Sequence, residues 1–205
     1  TPYLENFLKF DLGHMNTDLY PGRVADVVYS DGLKLDLYYP EQINDKNPLV
    51  ISIFGGGWIS GFKTDKFVPP MIQPINEGFI VAVPDYTLSL DAPFPQSVID
   101  IKKCIAFLRS HSDLYKIDTN NITLWGESAG AHLALEAGLV ENSHFDLALD
   151  TRVKNIIAMY APSNPLAINA QAEKLDILDT ARSDKDTVFG IYMGKNYDDE
   201  RQMNL

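Results

Sequence analysis

The sequence predicts an α/β sandwich, with a mostly parallel central sheet, helices on both faces and functional loops at the carboxyl ends of the strands. Three observations carry this reading. The runs "PLVISIF" and "FIVAVPDY" are short, continuously apolar and rich in Val and Ile, as strands covered on both faces require. Segments of helical periodicity alternate with them. A further strand-like run, in "NITLWGESAGAHLALEAG", passes straight through Gly-Glu-Ser-Ala-Gly into a helix-forming tract over residues 121–138.

Taken in order, residues 1–23 read as an N-terminal extension. "RVADVVYS" and "LKLDLYYP" flank Asp31-Gly32, a hairpin signal between two strands. "PLVISIF" is the third strand. "TDKFVPPMIQPINEG" is expected to be the crossover helix, irregular at its start because Pro69, Pro70 and Pro74 lack amide donors. After the "FIVAVPDY" strand, Val98, Ile101, Ile105 and Leu108 recur at three- and four-residue spacing, which predicts an amphipathic helix over residues 96–110. Cys104 lies beside them as a small buried residue. "NITLWG" is the next strand, "AHLALEAGLV" the next helix and "VKNIIAMYAP" a further strand, so the order is β-β-β-α-β-α-β-α-β. Residues 162–205 are polar and weakly periodic, and read as a cap-like or partial C-terminal segment of the same single domain, 1–205.

Composition narrows the function. The chain has 205 residues, 45% hydrophobic and 22% charged, which suits one globular domain. A formal net charge of −11, without any Lys/Arg cluster, argues against nucleic acid and anionic membrane surfaces as partners. The longest apolar runs fall far short of the ~20 residues that span a bilayer. The single cysteine excludes an internal disulfide and a cysteine-based metal site. These features fit a soluble, cytoplasmic protein, although a removed secretory leader would leave the same sequence. A homo-oligomer stays open.

Gly126-Glu127-Ser128-Ala129-Gly130 matches G-x-S-x-G, the nucleophile elbow. Glycines two before and two after the serine let a helix start hard against the strand while the hydroxyl projects from the sheet. The helix N-terminus then points its amides at the reaction centre, where negative charge develops. A match alone is weak, since a chain of this length holds one by chance roughly once in twenty; its place between a strand and a helix strengthens it. Phe54-Gly55-Gly56-Gly57-Trp58 follows the third strand. Neither phosphate-loop pattern occurs, so the triple glycine is better read as an oxyanion hole than as a phosphate cradle.

Together "FGGGW", "VPDYTLS", "APFPQSVIDIKKCIAFLRSH", "NITLWGESAGAHLALEAG" and "IIAMYAPSNP" resemble the α/β-hydrolase esterase/lipase group related to hormone-sensitive lipase and to feruloyl and acetyl-xylan esterase-like proteins. The resemblance runs from about Val24 to the end. It implies Ser128 as nucleophile, the backbone amides of Gly56, Gly57 and Ala129 as oxyanion hole, and no metal or organic cofactor. The implied substrates are small-molecule carboxylic esters, short acyl or acetylated. Tyr86 matches a tyrosine near the glycine loop, where it buttresses or simply packs. Trp58, Phe62 and Tyr86 are candidate pocket walls and equally ordinary core aromatics.

Two departures qualify this. The group places His where this chain has Phe54, so ring packing must brace the loop instead. In this fold the triad runs Ser, acid, His along the chain, and the resemblance places acid and base beyond "YMGKNYDDERQMNL". His111 and His144 lie past helices that run away from the catalytic edge, His132 is one turn into the helix after Ser128, and His14 would need a fold-back. Asp176, Asp179, Asp184 and Asp186 read as solvated cap residues. The expectation is therefore a hydrolase whose last strands, with acid and base, are missing, and whose final strand edge is covered by residues 162–205 or a partner. The alternative is a catalytically inactive binding module on the same fold, as in the gibberellin receptor and the neuroligins.

Overall fold

A computed structural model describes residue 9, residues 12–163, residue 174 and residues 187–194. The strands are β1 (Arg23–Ser30), β2 (Leu33–Tyr38), β3 (Asn47–Ile53), β4 (Ile80–Pro84), β5 (Ile117–Glu127) and β6 (Asn155–Met159). They form one sheet in the order β1-β2-β4-β3-β5-β6. β1 and β2 pair antiparallel, as do β2 and β4; the remaining pairs are parallel. The hairpin forms where Asp31-Gly32 predicts it, with φ of 37° and 84° at the two positions, as a two-residue primed turn needs.

Among the described residues the helices with assigned bounds are α1 (Pro69–Ile72), α2 (Gln96–Ser110), α3 (Ser112–Tyr115), α4 (Ala129–Leu139) and α5 (Val188–Met193). The predicted crossover helix is almost lost. α1 lasts four residues and gives way to a 3-10 turn at Gln73–Glu77, because three prolines remove donors from so short a segment. α2 has the predicted bounds and buries Val98, Ile101, Cys104, Ile105 and Leu108.

Helices lie on both faces. Ser52 donates its hydroxyl to the carbonyl of Met71 in α1 at 2.8 Å, so one face of β3 meets α1. Ile51, on the opposite face, is in register with Leu124. Gly138 of α4 packs so close to Leu124 and Ile156 that a Cβ there would come 2.5 Å from Ile156 Cδ1. α2 joins α4 on that face through Lys102, which is 1% exposed. Its Nζ donates to the carbonyls of Ala137 and Val140 and to Asn142 Oδ1 at 2.7–3.0 Å, capping the end of α4. Burial lowers its pKa.

Topology positions the site. The chain leaves β3 for β4 on one side, then crosses to β5 on the other, so the strand order reverses around β3. Loops leaving β3 and β5 thus meet in the crevice at the carboxyl edge, where ligands bind in open α/β sheets.

β6 is largely exposed, with Ile157 at 44%, Met159 at 43% and Tyr160 just beyond it at 68%. The cover expected from 162–205 falls mostly outside the described residues, as do Asp176, Asp179, Asp184 and Asp186.

A buried charge ladder ties the antiparallel half to the crevice. Asp36 of β2, fully buried, accepts from Arg23 Nε at 2.7 Å and lies 3.2 Å from Lys63 Nζ. Lys63 also reaches Asp26 at 3.0 Å, and its amide donates to Asp85 at 2.7 Å. Burial opposes the Lys63 charge, but the carboxylates of Asp26 and Asp36 outweigh it and raise the pKa. Removing one partner leaves buried charge uncompensated, so Asp36→Ala should cost about 3 kcal/mol or more in urea unfolding. Lys103→Ala, which breaks a 3.0 Å pair with the exposed Asp31, should leave the unfolding midpoint nearly unchanged.

Candidate active site

β5 ends at Glu127 and α4 begins at Ala129, leaving Ser128 alone at the junction with φ 52° and ψ −120°. A left-handed serine costs of order 1–3 kcal/mol and persists only where its surroundings impose it. Here they do. The Ser128 amide donates to the Met159 carbonyl at 3.0 Å, and its own carbonyl accepts from Ala131 and His132 at 3.0 and 3.2 Å. A Cβ on Gly126 would stand 2.1 Å from the Gly130 oxygen, and one on Gly130 2.1 Å from the Ile53 oxygen. Both glycines are needed because α4 starts directly against the ends of β5 and β3.

The turn after β3 is fixed as tightly. Gly56 has φ 112°, and its carbonyl accepts from the amides of Ile59 and Ser60 and from the Ser60 hydroxyl at 3.0–3.2 Å. Gly55 approaches the elbow so closely that a Cβ would lie 3.0 Å from the Glu127 oxygen and 3.3 Å from Ser128 Cβ. Phe54, in place of the expected histidine, stacks on Tyr86 with centroids 4.5 Å apart, and the Tyr86 hydroxyl donates to the Phe54 carbonyl at 3.0 Å.

Ser128 opens into a cavity of about 380 Å³. Gly55, Gly56 and Ser60 line it from the glycine turn, and Phe54 and Glu127 flank the serine. Leu12, Phe67, Met71 and Tyr160 form the rest of the apolar wall, with Asp65, 3% exposed, among them. Burial raises the Asp65 pKa.

Of the residues suggested by sequence, Ser128 and Gly56 line this cavity, whereas Gly57 and Ala129 do not. Nor do Trp58, Phe62 and Tyr86, the candidate walls. Trp58 is drawn into packing by α5 instead: it stacks on Tyr192 at 4.7 Å and meets His132 edge-on at 5.4 Å. Phe62 packs on His14 at 4.6 Å. Tyr86 is buried behind the glycine turn as its buttress.

No histidine hydrogen-bonds to Ser128. His111 Nδ1 pairs with the Phe107 carbonyl at 2.9 Å, and His14 Nδ1 with Thr64 Oγ1 at 3.3 Å. His144 lies in a 3-10 turn beyond α4. His132 is enclosed by Trp58 and Tyr192, with Nδ1 unpartnered among the described residues and Nε2 3.8 Å from Glu136.

Residues 35–204 match the model of the BD-FAE family. The chain belongs to the BD-FAE family. Its fold is that of α/β-hydrolase esterases: a truncated carbohydrate esterase from gut microbiota superposes with TM-score 0.72 at 24% identity, over 89% of this chain and 69% of that one. A thermophilic esterase of Thermogutta terrifontis gives 0.59 at 26%, over 69% and 54%. Among curated proteins, esterase LipQ of Mycobacterium tuberculosis is 30% identical over 60% of this chain and 30% of its own length. The isoprenylcysteine alpha-carbonyl methylesterase ICME of Arabidopsis thaliana is 34% identical over 53% and 26%. The chain thus spans less than a third of these curated relatives. No helix among the described residues is long and apolar enough to cross a membrane.

The packing of His132 has a measurable consequence. Burial pushes its pKa down to about 4, so the folded state resists a proton that the unfolded chain accepts near 6.5. Stability from this group should therefore fall as pH drops from about 6.5 to about 4 and level off below. Glu136, raised by burial, acts with the opposite slope above its usual range. Urea unfolding from pH 4 to 7 should show a shallower acid-side loss in His132→Phe than in the parent.

Proposed function

We propose that this chain is part of a serine hydrolase acting on carboxylic esters through an acyl-enzyme at Ser128. The observation that carries the reading is Ser128 at φ 52° between β5 and α4, facing a cavity that Gly55 and Gly56 also line. The hydroxyl attacks the ester carbonyl as a general base takes its proton, and the oxyanion settles against backbone donors. The sequence resemblance makes those donors the amides of Gly56, Gly57 and Ala129, of which Gly56 lines the cavity. The first amides of α4 have no carbonyl of their own helix to reach, and the helix dipole adds positive potential there. Water then frees the acyl group. The base is assigned to none of the chain's four histidines.

The esterases among the relatives support a carboxylic ester substrate, and the carbohydrate esterase likeness makes esterified sugars candidates; short acyl or acetylated groups are what the sequence resemblance implies. The cavity favours an uncharged substrate, since among the described residues Asp65 and Glu127 line it without any Lys, Arg or His. A second reading, a binding module that keeps the pocket without catalysis, draws on Phe54 and on the absence of a histidine partner for Ser128.

Expression of the gene's full reading frame separates the two. The product should be labelled at Ser128 by a fluorophosphonate and hydrolyse p-nitrophenyl acetate, and Ser128→Ala should abolish labelling and lower kcat by about 10³-fold or more. A full-length protein that neither labels nor turns over would refute the hydrolase and leave the binding module.

A further inference from the structure

The N-terminal extension does fold back, onto the crevice. The Met15 amide donates to the Thr64 carbonyl at 2.9 Å, and the Lys66 amide to the carbonyls of Gly13 and Leu12 at 3.2 and 3.3 Å. His14 pairs with Asp65 as an antiparallel bridge while its ring rests on Phe62. Met15 enters the core at 8% exposure. These contacts fasten residues 12–15 as a strap along the segment that leaves the glycine turn. They also place Leu12 in the wall of the Ser128 cavity. The family match begins only at residue 35, so this wall comes from outside it.

We infer that Leu12 is a specificity-determining residue, which together with Phe67 and Met71 restricts the cavity to short, uncharged aliphatic groups. The inference rests on the ester-hydrolase reading for its substrate and on geometry for its wall. Three apolar side chains from separate segments meet there: the strap, the loop before α1, and α1 itself. Met71 is 1% exposed and sits in the helix whose Met71 carbonyl is tied to Ser52, so that side cannot yield. Leu12 is carried instead by a strap outside the sheet, held by main-chain bonds that do not depend on the side chain. Its side chain is therefore the adjustable wall. The two carboxylates lining the same space disfavour an anionic substituent, because a like charge brought into a partly desolvated site is costly.

The test uses the full-length gene product as parent, Leu12→Ala and Leu12→Trp, with p-nitrophenyl acetate, butyrate, hexanoate and octanoate. A single methylene in an apolar pocket is worth roughly 10-fold or more in discrimination. The ratio of kcat/KM for hexanoate to that for acetate should rise about 10-fold in Leu12→Ala and fall about 10-fold in Leu12→Trp, mainly through KM. Opposite shifts from two substitutions at one site cannot arise from partial unfolding, which moves all substrates together. A ratio within twofold of the parent in both variants would overturn the inference. Should no ester be hydrolysed, the hydrolase reading fails separately, and binding of acetamide, butanamide and hexanamide followed by ligand-observed NMR decides the wall. The same opposite shifts in relative affinity would support it, and unchanged relative affinities would overturn it.

Discussion

The closeness of α4 to the ends of β3 and β5 is the constraint on which the rest depends. At Gly130 the helix backbone passes so near the Ile53 and Phe54 carbonyls that no Cβ fits, and at Gly126 the strand meets the Gly130 carbonyl in the same way. With the helix pressed in that far, the chain can turn from strand to helix within one residue only through a left-handed conformation at Ser128. In that conformation Ser128 lines the cavity. The same proximity brings Gly55 against Glu127 and Ser128, so the glycine turn and the serine are adjacent as a consequence of packing. β6 adds the last restraint through the Met159 carbonyl, which accepts from the Ser128 amide.

Around this centre two devices fix the glycine turn, one on each side. Behind it, Tyr86 supplies both a stacked ring for Phe54 and a hydroxyl for the Phe54 carbonyl, doing by packing and one donor what a histidine does elsewhere. Beyond it, Lys63 joins the exit of the turn to Asp26, Asp36 and Asp85, and so to the antiparallel strands and the end of β4. Trp58, within the turn, is held left-handed at φ 61° and locked between α4 and α5 by Tyr192 and His132. A buried neutral histidine suits that role, because a charged imidazole would lose hydration among aromatic rings.

Much of this was legible in the residues, for reasons that can be stated. Periodicity is a local signal, so α2 emerges with its bounds and its buried face. The elbow is legible because steric need restricts its residue types at fixed spacing. Charge and tertiary contact leave no such trace. Asp36, Lys63, Asp100 and Lys102 are buried and paired, but nothing local distinguishes them from surface residues of the same type. Trp58, Phe62 and Tyr86 read as pocket walls because aromatics near a glycine turn are commonly that; only the arrival of α5 and of the strap shows where their rings go. Leu12, Phe67 and Met71, which do line the cavity, are brought together by long-range folding from segments with no motif. Phe54, Gly55 and Glu127, by contrast, sit inside the two motifs, which could have found them.

The central claim is that Ser128 and the glycine turn share one small cavity, and that main-chain amides of that turn and of the start of α4 act as its donors. Its most direct test is ¹H–¹⁵N NMR of the full-length protein with a small alkylboronic acid, which adds to a nucleophilic serine and places a tetrahedral, negatively charged boron where the oxyanion would lie. The expected result is a downfield shift of the Gly56 and Ala129 amide protons that is absent in Ser128→Ala. Adduct formation at Ser128 with both amides unmoved would contradict the account, as would boronate binding that survives the loss of Ser128.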